Sequence, residues 1–293
     1  MAPDQQHIDE TDRGLLYDVG TLVSRRRALG ILGGAGLAGV LAACGSSGTA
    51  AKTSAASSSS ASSSSASSSS ASTSSTAAEA TADAADVVEV PDETAGPYPG
   101  DGSNGPDVLA ESGIVRGDIR RSFGSSTTQA EGIPLTIALT VRDASTGAAL
   151  KGAAVYLWHC NRDGAYSLYS EGVTDENYLR GVQATDANGT ATFSSIFPAG
   201  YSGRWPHIHF EVYESVTNAT SNGQIVKTSQ IALPKETCDV VYATAGYEQS
   251  VQNLSQASLQ SDNVFGNDSG IHQIATMSGS TSAGYTAALT VGV

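Results

Sequence analysis

From Pro134 to Asp143 the chain reads PLTIALTVRD, with Leu135, Ile137, Leu139 and Val141 falling on every second position. Successive side chains of a strand point to opposite faces, so a period of two builds one apolar face and does not suit a helix of period 3.6. Ala154 to Cys160 (AVYLWHC), Thr190 to Phe197 (TATFSSIF), His207 to Tyr213 (HIHFEVY), Ser229 to Leu233 and Ala287 to Val291 repeat that alternation in part. Between them stand Asp143 to Gly147, Asp163-Gly164, Asp186 to Gly189 and Asn222-Gly223, which supply the side-chain caps and positive φ values of tight turns. Short strands at this spacing predict an all-β domain: a β-sandwich of mostly antiparallel strands with long loops and little helix. The one helix expected lies within Lys235 to Thr244.

The chain ahead of these strands has a different character. Arg25, Arg26 and Arg27 precede an apolar run, Ala28 to Val40, that is shorter than the roughly 20 residues a bilayer span requires. Together with Leu41, Ala42, Ala43 and Cys44, this predicts a twin-arginine lipoprotein signal peptide over 1–43, with Cys44 as the lipidated first residue after cleavage. Residues 44–86 are dominated by Ser, Ala and Thr and show no apolar periodicity, so they read as a disordered tether. Residues 87–293 remain as one domain with a sizeable core. The expected location is the outer face of a bacterial cell membrane, held by the N-terminal lipid, or the medium after release.

The formal net charge of −14 argues against a nucleic-acid partner, whose phosphates require a basic face. With Cys44 committed to lipid, Cys160 and Cys238 form a single pair in an oxidising compartment, and one disulfide between them is expected.

Chemistry concentrates in Gly203 to Phe210 (GRWPHIHF). The chain has five histidines, and two of them, His207 and His209, stand two apart in a strand-type segment. Side chains at i and i+2 of a strand share a face about 6.5–7 Å apart, so both imidazoles can reach one ion while Ile208 faces the core. Imidazole serves iron, copper, nickel and zinc alike, so the pair alone leaves the metal open.

Ala154 to Ser167 (AVYLWHCNRDGAYS) and Phe197 to Phe210 (FPAGYSGRWPHIHF) closely resemble the intradiol ring-cleavage dioxygenases, the catechol and protocatechuate 3,4-dioxygenase group. Glu93 to Pro99 (ETAGPYP), Arg116 to Arg120 (RGDIR) and Thr228 to Pro234 (TSQIALP) extend the resemblance over most of Glu93 to Val293. It implies that Tyr166, Tyr201, His207 and His209 are metal ligands and that the metal is non-haem Fe(III). Phenolate, a hard anionic donor, suits a trivalent ion, and binding to the cation favours it over the phenol of ordinary pKa near 10. The resemblance further implies cleavage of catechol-type substrates by O2 to cis,cis-muconate-type diacids. In that reaction Tyr201 leaves the metal to take up a substrate proton, Arg204 sits beside the ring, and Gln230 supports Arg204.

Two other readings stand beside it. One is a non-catalytic extracytoplasmic binding module, since fold alone does not confer activity. The other is a zinc or copper enzyme that uses the His-x-His pair. His159 is expected to be structural, Tyr98 either a pocket wall or a turn residue. The serine-rich tether occupies the place of the helical dimerisation segment of catechol-type members, so that dimer is not expected.

Overall fold

The computed structural model describes residues 87–293. The signal peptide expected over 1–43, the tether over 44–86 and the lipidation of Cys44 lie outside the described residues.

Eight strands form the framework: β1 (Pro134–Arg142), β2 (Ala154–Trp158), β3 (Arg180–Ala184), β4 (Thr190–Ile196), β5 (His207–Tyr213), β6 (Ile225–Ala232), β7 (Thr276–Ser280) and β8 (Gly284–Gly292). They make two four-stranded sheets, in the orders β4-β1-β8-β7 and β3-β2-β5-β6. All named pairings are antiparallel except β1 with β8, where Leu135 faces Tyr285 and Val141 faces Val291. The expected all-β sandwich is the fold observed. Among the described residues helix is confined to α1 (Val216–Ala219), α2 (Lys235–Tyr242) and α3 (Glu248–Ser255), with a 3-10 turn at Phe265–Asn267. Among the described residues no helix is long and apolar enough to cross a membrane.

The predicted alternation is visible in the packing. Ile137 and Leu139 of β1 meet Leu157 of β2, Phe193 of β4 and Ile208 and Phe210 of β5 in the core between the sheets. The opposite face of the second sheet is covered too: Tyr156 and Trp158 of β2 and Tyr213 of β5 pack with Tyr166, Val182 and Ala199 in a separate cluster. Every residue of β2 and β5 is therefore buried, because loops close over the face that the other sheet leaves uncovered. A polar group placed on that face is shielded from water without entering the main core.

The expected disulfide is not formed: Cys160 and Cys238 are free, buried thiols. Each sulfur has its own neighbour, Cys160 Sγ 3.7 Å from the Ala199 carbonyl and Cys238 Sγ 3.9 Å from that of Leu233. Burial raises the Cys160 thiol to about 12 and also raises that of Cys238, so neither offers a thiolate for oxidation. The even count of cysteines gave no information on where their side chains point.

Candidate metal centre

β5 sets Ile208 into the core and turns His207 and His209 to the loop-covered face, where both are buried. His207 Nε2 lies 3.1 Å from His209 Nε2, 3.1 Å from Tyr201 Oη and 3.5 Å from Tyr166 Oη. Ligands about 2.1 Å from one ion are separated by edges of about 3.0–3.4 Å, so this spacing would fit a shared metal. Among the described residues no group of three or more His, Cys, Asp and Glu side chains could hold an ion. Any metal here depends on the two phenols to complete the histidine pair.

Local structure delivers each donor. His207 Nδ1 is 2.6 Å from the Trp205 carbonyl, which assigns the proton to Nδ1 and leaves the Nε2 lone pair facing the cluster. The His209 ring stacks on Trp158 with centroids 4.9 Å apart and planes 8° from parallel, while its Nδ1 is buried without a hydrogen-bond partner. Gly96 closes over the same ring: its φ is +72°, and a Cβ there would approach His209 Cε1 to 3.2 Å. Tyr166 follows a tight turn in which Asn161 Oδ1 accepts from the backbone N–H groups of Asp163 and Ala165, both at 2.9 Å. Tyr201 sits on the β4–β5 loop with its ring edge-on to Tyr166 at 6.0 Å and to His207 at 5.4 Å.

Electrostatics fit a cation. Burial, followed by the Arg204 charge, holds His207 well below its ordinary pKa. His209 is likewise depressed, by burial first and then by His207. Both imidazoles are thus neutral and available as ligands. Burial pushes Tyr166 well above the usual phenol value. A bound cation reverses that last effect by favouring phenolate, and the two-phenol, two-imidazole donor set matches a hard, highly charged metal.

Arg204 is buried at the edge of the cluster. Its Nε and Nη2 donate to Asp262 Oδ2 and Oδ1 at 3.0 and 3.4 Å, Nη2 also donates to Gln230 Oε1 at 2.7 Å, and Nη1 lies 3.5 Å from His207 Nε2. The structure thus brings together Arg204 and Gln230, paired at the sequence level only through resemblance. It adds Asp262, which no sequence pattern marked. That carboxylate also accepts from the backbone N–H groups of Trp205, Val264 and Phe265 at 2.7, 2.9 and 3.1 Å, and is fixed from four sides. Trp158, Arg180 and Gly96 are further residues around the site that motif spacing did not reveal. His159 lies away from the cluster, between the Cys160 carbonyl at 2.7 Å and Ser195 Oγ at 2.6 Å, and burial lowers its pKa to about 4.

Residues 104–224 match the family model described as Dioxygenase. That stretch contains Tyr166, Tyr201, Arg204, His207 and His209 but neither Gln230 nor Asp262. Over 62 residues the chain is 39% identical to chlorocatechol 1,2-dioxygenase of Rhodococcus opacus, covering 21% of this chain and 24% of that protein. The match thus spans about a quarter of that curated relative's length. Over the whole fold the chain is similar to an intradiol ring-cleavage dioxygenase from Tetranychus urticae, at 27% identity and a TM-score of 0.56, covering 70% of this chain and 93% of the other. The matched segment carries the four candidate donors on the β-sandwich, and its likeness is to dioxygenases. At the level of the whole fold, that likeness is to an intradiol ring-cleavage dioxygenase.

Proposed function

We propose that the protein is an Fe(III)-dependent intradiol dioxygenase that cleaves catechol-type compounds with O2 to cis,cis-muconate-type diacids. The observation that carries the reading is the convergence of Tyr166 Oη, Tyr201 Oη and His209 Nε2 on His207 Nε2 within 3.1–3.5 Å. Four neutral donors packed this closely in a buried site call for a cation, and two phenols among them favour a ferric ion over zinc. Ferric iron would supply charge withdrawal from a chelated catecholate, which makes the ring reactive toward O2.

The chain's own residues then have defined tasks. Tyr201, on a loop and partly exposed, would hold the metal as a phenolate, the base that would take up a substrate proton as catechol binds. Tyr166, which is buried, would hold the metal throughout. Arg204 keeps its Nη1 edge toward the cluster, where a fixed guanidinium offsets negative charge developing on the ring. Gln230 and Asp262 hold the other edge of that guanidinium. The reaction balances as catechol plus O2 giving the diacid, with both oxygen atoms retained in the product.

Location belongs to the same proposal: export as a lipoprotein through Cys44, with residues 44–86 as a spacer, would present the site to aromatic compounds outside the cell. Loss of metabolic lipid labelling in Cys44→Ala tests the anchor. For the chemistry, iron-loaded protein should be red-brown and consume O2 with catechol, 4-substituted catechols, protocatechuate or hydroxyquinol. Tyr201→Phe should shift or abolish the visible band. Colourless protein carrying stoichiometric zinc, or iron-loaded protein inert toward the whole panel, sinks the reading.

A further inference from the structure

Arg180 opens β3, and the register of the second sheet puts it in one row with the site: Arg180 pairs with Trp158, Trp158 with His209, and His209 with Gln230. Directly paired residues of neighbouring strands share a face, so the guanidinium and the metal-site side chains form a line across three strand gaps. The segment 94–100 runs over that line and is tied at both ends. Gln230 Nε2 donates to the Thr94 carbonyl at 3.0 Å, and Arg180 Nη1 donates to the Pro99 carbonyl at 2.8 Å. Between these ties Gly96 closes on His209, and the Tyr98 ring lies 4.9 Å from that of Tyr166.

Arg180 grips a second loop with the same fork. Its Nε donates to Ser167 Oγ at 3.1 Å and its Nη2 to the Ser167 carbonyl at 2.9 Å, one residue beyond the donor Tyr166. All these acceptors are neutral oxygens, and among the described residues no carboxylate pairs with this fully buried cation. A buried guanidinium is costly without such bonds. Two leucines flank the grip in the left-handed region, Leu168 at φ 73° and Leu179 at φ 57°. Non-glycine residues hold such conformations only where surrounding contacts determine them.

We propose that Arg180 is a positioning residue whose planar fork locks the 94–100 segment to the Tyr166 loop, so that Tyr98 is held as a rigid wall beside the metal centre and restricts which ring substituents fit. The locking stands on the geometry above; its effect on substrate choice rests on the functional reading already given.

Three variants test it: Arg180→Met removes fork and charge, Arg180→Lys keeps a charge without the fork, and the milder Ser167→Ala removes one acceptor. Hydrogen exchange in peptides covering 94–105 and 166–170 should accelerate at least tenfold in both Arg180 variants and less in Ser167→Ala, with β1 peptides unchanged. With iron loaded, the charge-transfer band should persist. KM for catechol should rise at least tenfold while kcat changes less than threefold, and the preference between catechol and 4-substituted catechols should narrow. A lysine variant that restores wild-type exchange and KM overturns the proposal, because charge alone would then suffice. Unchanged exchange in Ser167→Ala together with Arg180→Lys overturns it as well, even if Arg180→Met does not fold. If iron-loaded wild type binds no catechol at all, the functional reading fails, while the exchange measurements still decide whether Arg180 locks the two loops.

Discussion

Asp262 shows how little of a site's second layer can be read from motifs. Tyr166, Tyr201, Arg204, His207 and His209 sit in two runs whose joint pattern is distinctive, and the structure brings all five to one place. Asp262 lies 58 positions after Arg204 in an irregular stretch, with neither periodicity nor spacing to link the two. Arg180 escaped for a related reason, since nothing in the sequence distinguishes a buried arginine with neutral acceptors from an exposed one. With both carboxylate oxygens on Arg204 or its backbone neighbours, Asp262→Asn should free the guanidinium to rotate away. Charge-assisted hydrogen bonds contribute about 1.5–3 kcal/mol, so kcat/KM for catechol should drop about 10- to 100-fold. Because Asp262 has none of the four donors among its hydrogen-bond partners, steady-state kinetics should register the change while the visible band of the iron-loaded variant stays in place.

Elements with a one-sided apolar face were legible, and those without one were not. β1, β4 and β5 fall within a residue or two of their expected limits because alternation marks them. β3 reads RGVQA and opens with a buried arginine and a glycine, one on each face, so it lacked an apolar face to recognise. β7 reads TMSGS and is largely exposed at a sheet edge, so burial imposed no pattern on it. α3 was missed for want of a strong apolar stripe, with only Ser250 and Leu254 buried. β5 itself serves two masters, core on one face and donors on the other. Ile208→Ala should therefore cost about 2–5 kcal/mol in urea unfolding through the cavity left between the sheets. A loss below 1 kcal/mol would mean that β5 is not anchored as the packing shows.

For the molecule as a whole, buried ionisable groups set how stability responds to pH. Glu211 on β5 is buried, receives one bond from Tyr213 at 2.7 Å and has an unpartnered Oε1. Burial raises its pKa from 4.5 to about 7. The folded state then holds its proton more tightly than the unfolded chain, so its stabilising contribution is complete below about 4.5 and is lost as pH rises through about 7. His159 acts in the opposite sense: lowered from 6.5 to about 4 by burial, it withdraws stability as pH falls through that window. Comparing Glu211→Gln with wild type isolates the first effect. In metal-free protein the variant should gain on wild type as pH rises from 4.5 to 8, by up to about 3 kcal/mol, and parallel denaturation curves across that range would contradict the assignment.

The parallel pairing of β1 with β8 has a kinetic side. The donors and their loops are complete by the end of β6 at Ala232, whereas β8 begins at Gly284 and must insert between β1 and β7. Joining Leu135 to Tyr285 closes a loop of about 150 residues, and such non-local contacts slow folding. Until that happens, β1 presents an unpaired edge, the kind of surface on which β proteins associate wrongly. The half of the sandwich that bears the chemistry can thus take shape before the half that seals it, and the period between the two is when the nascent protein most needs protection from other copies of itself.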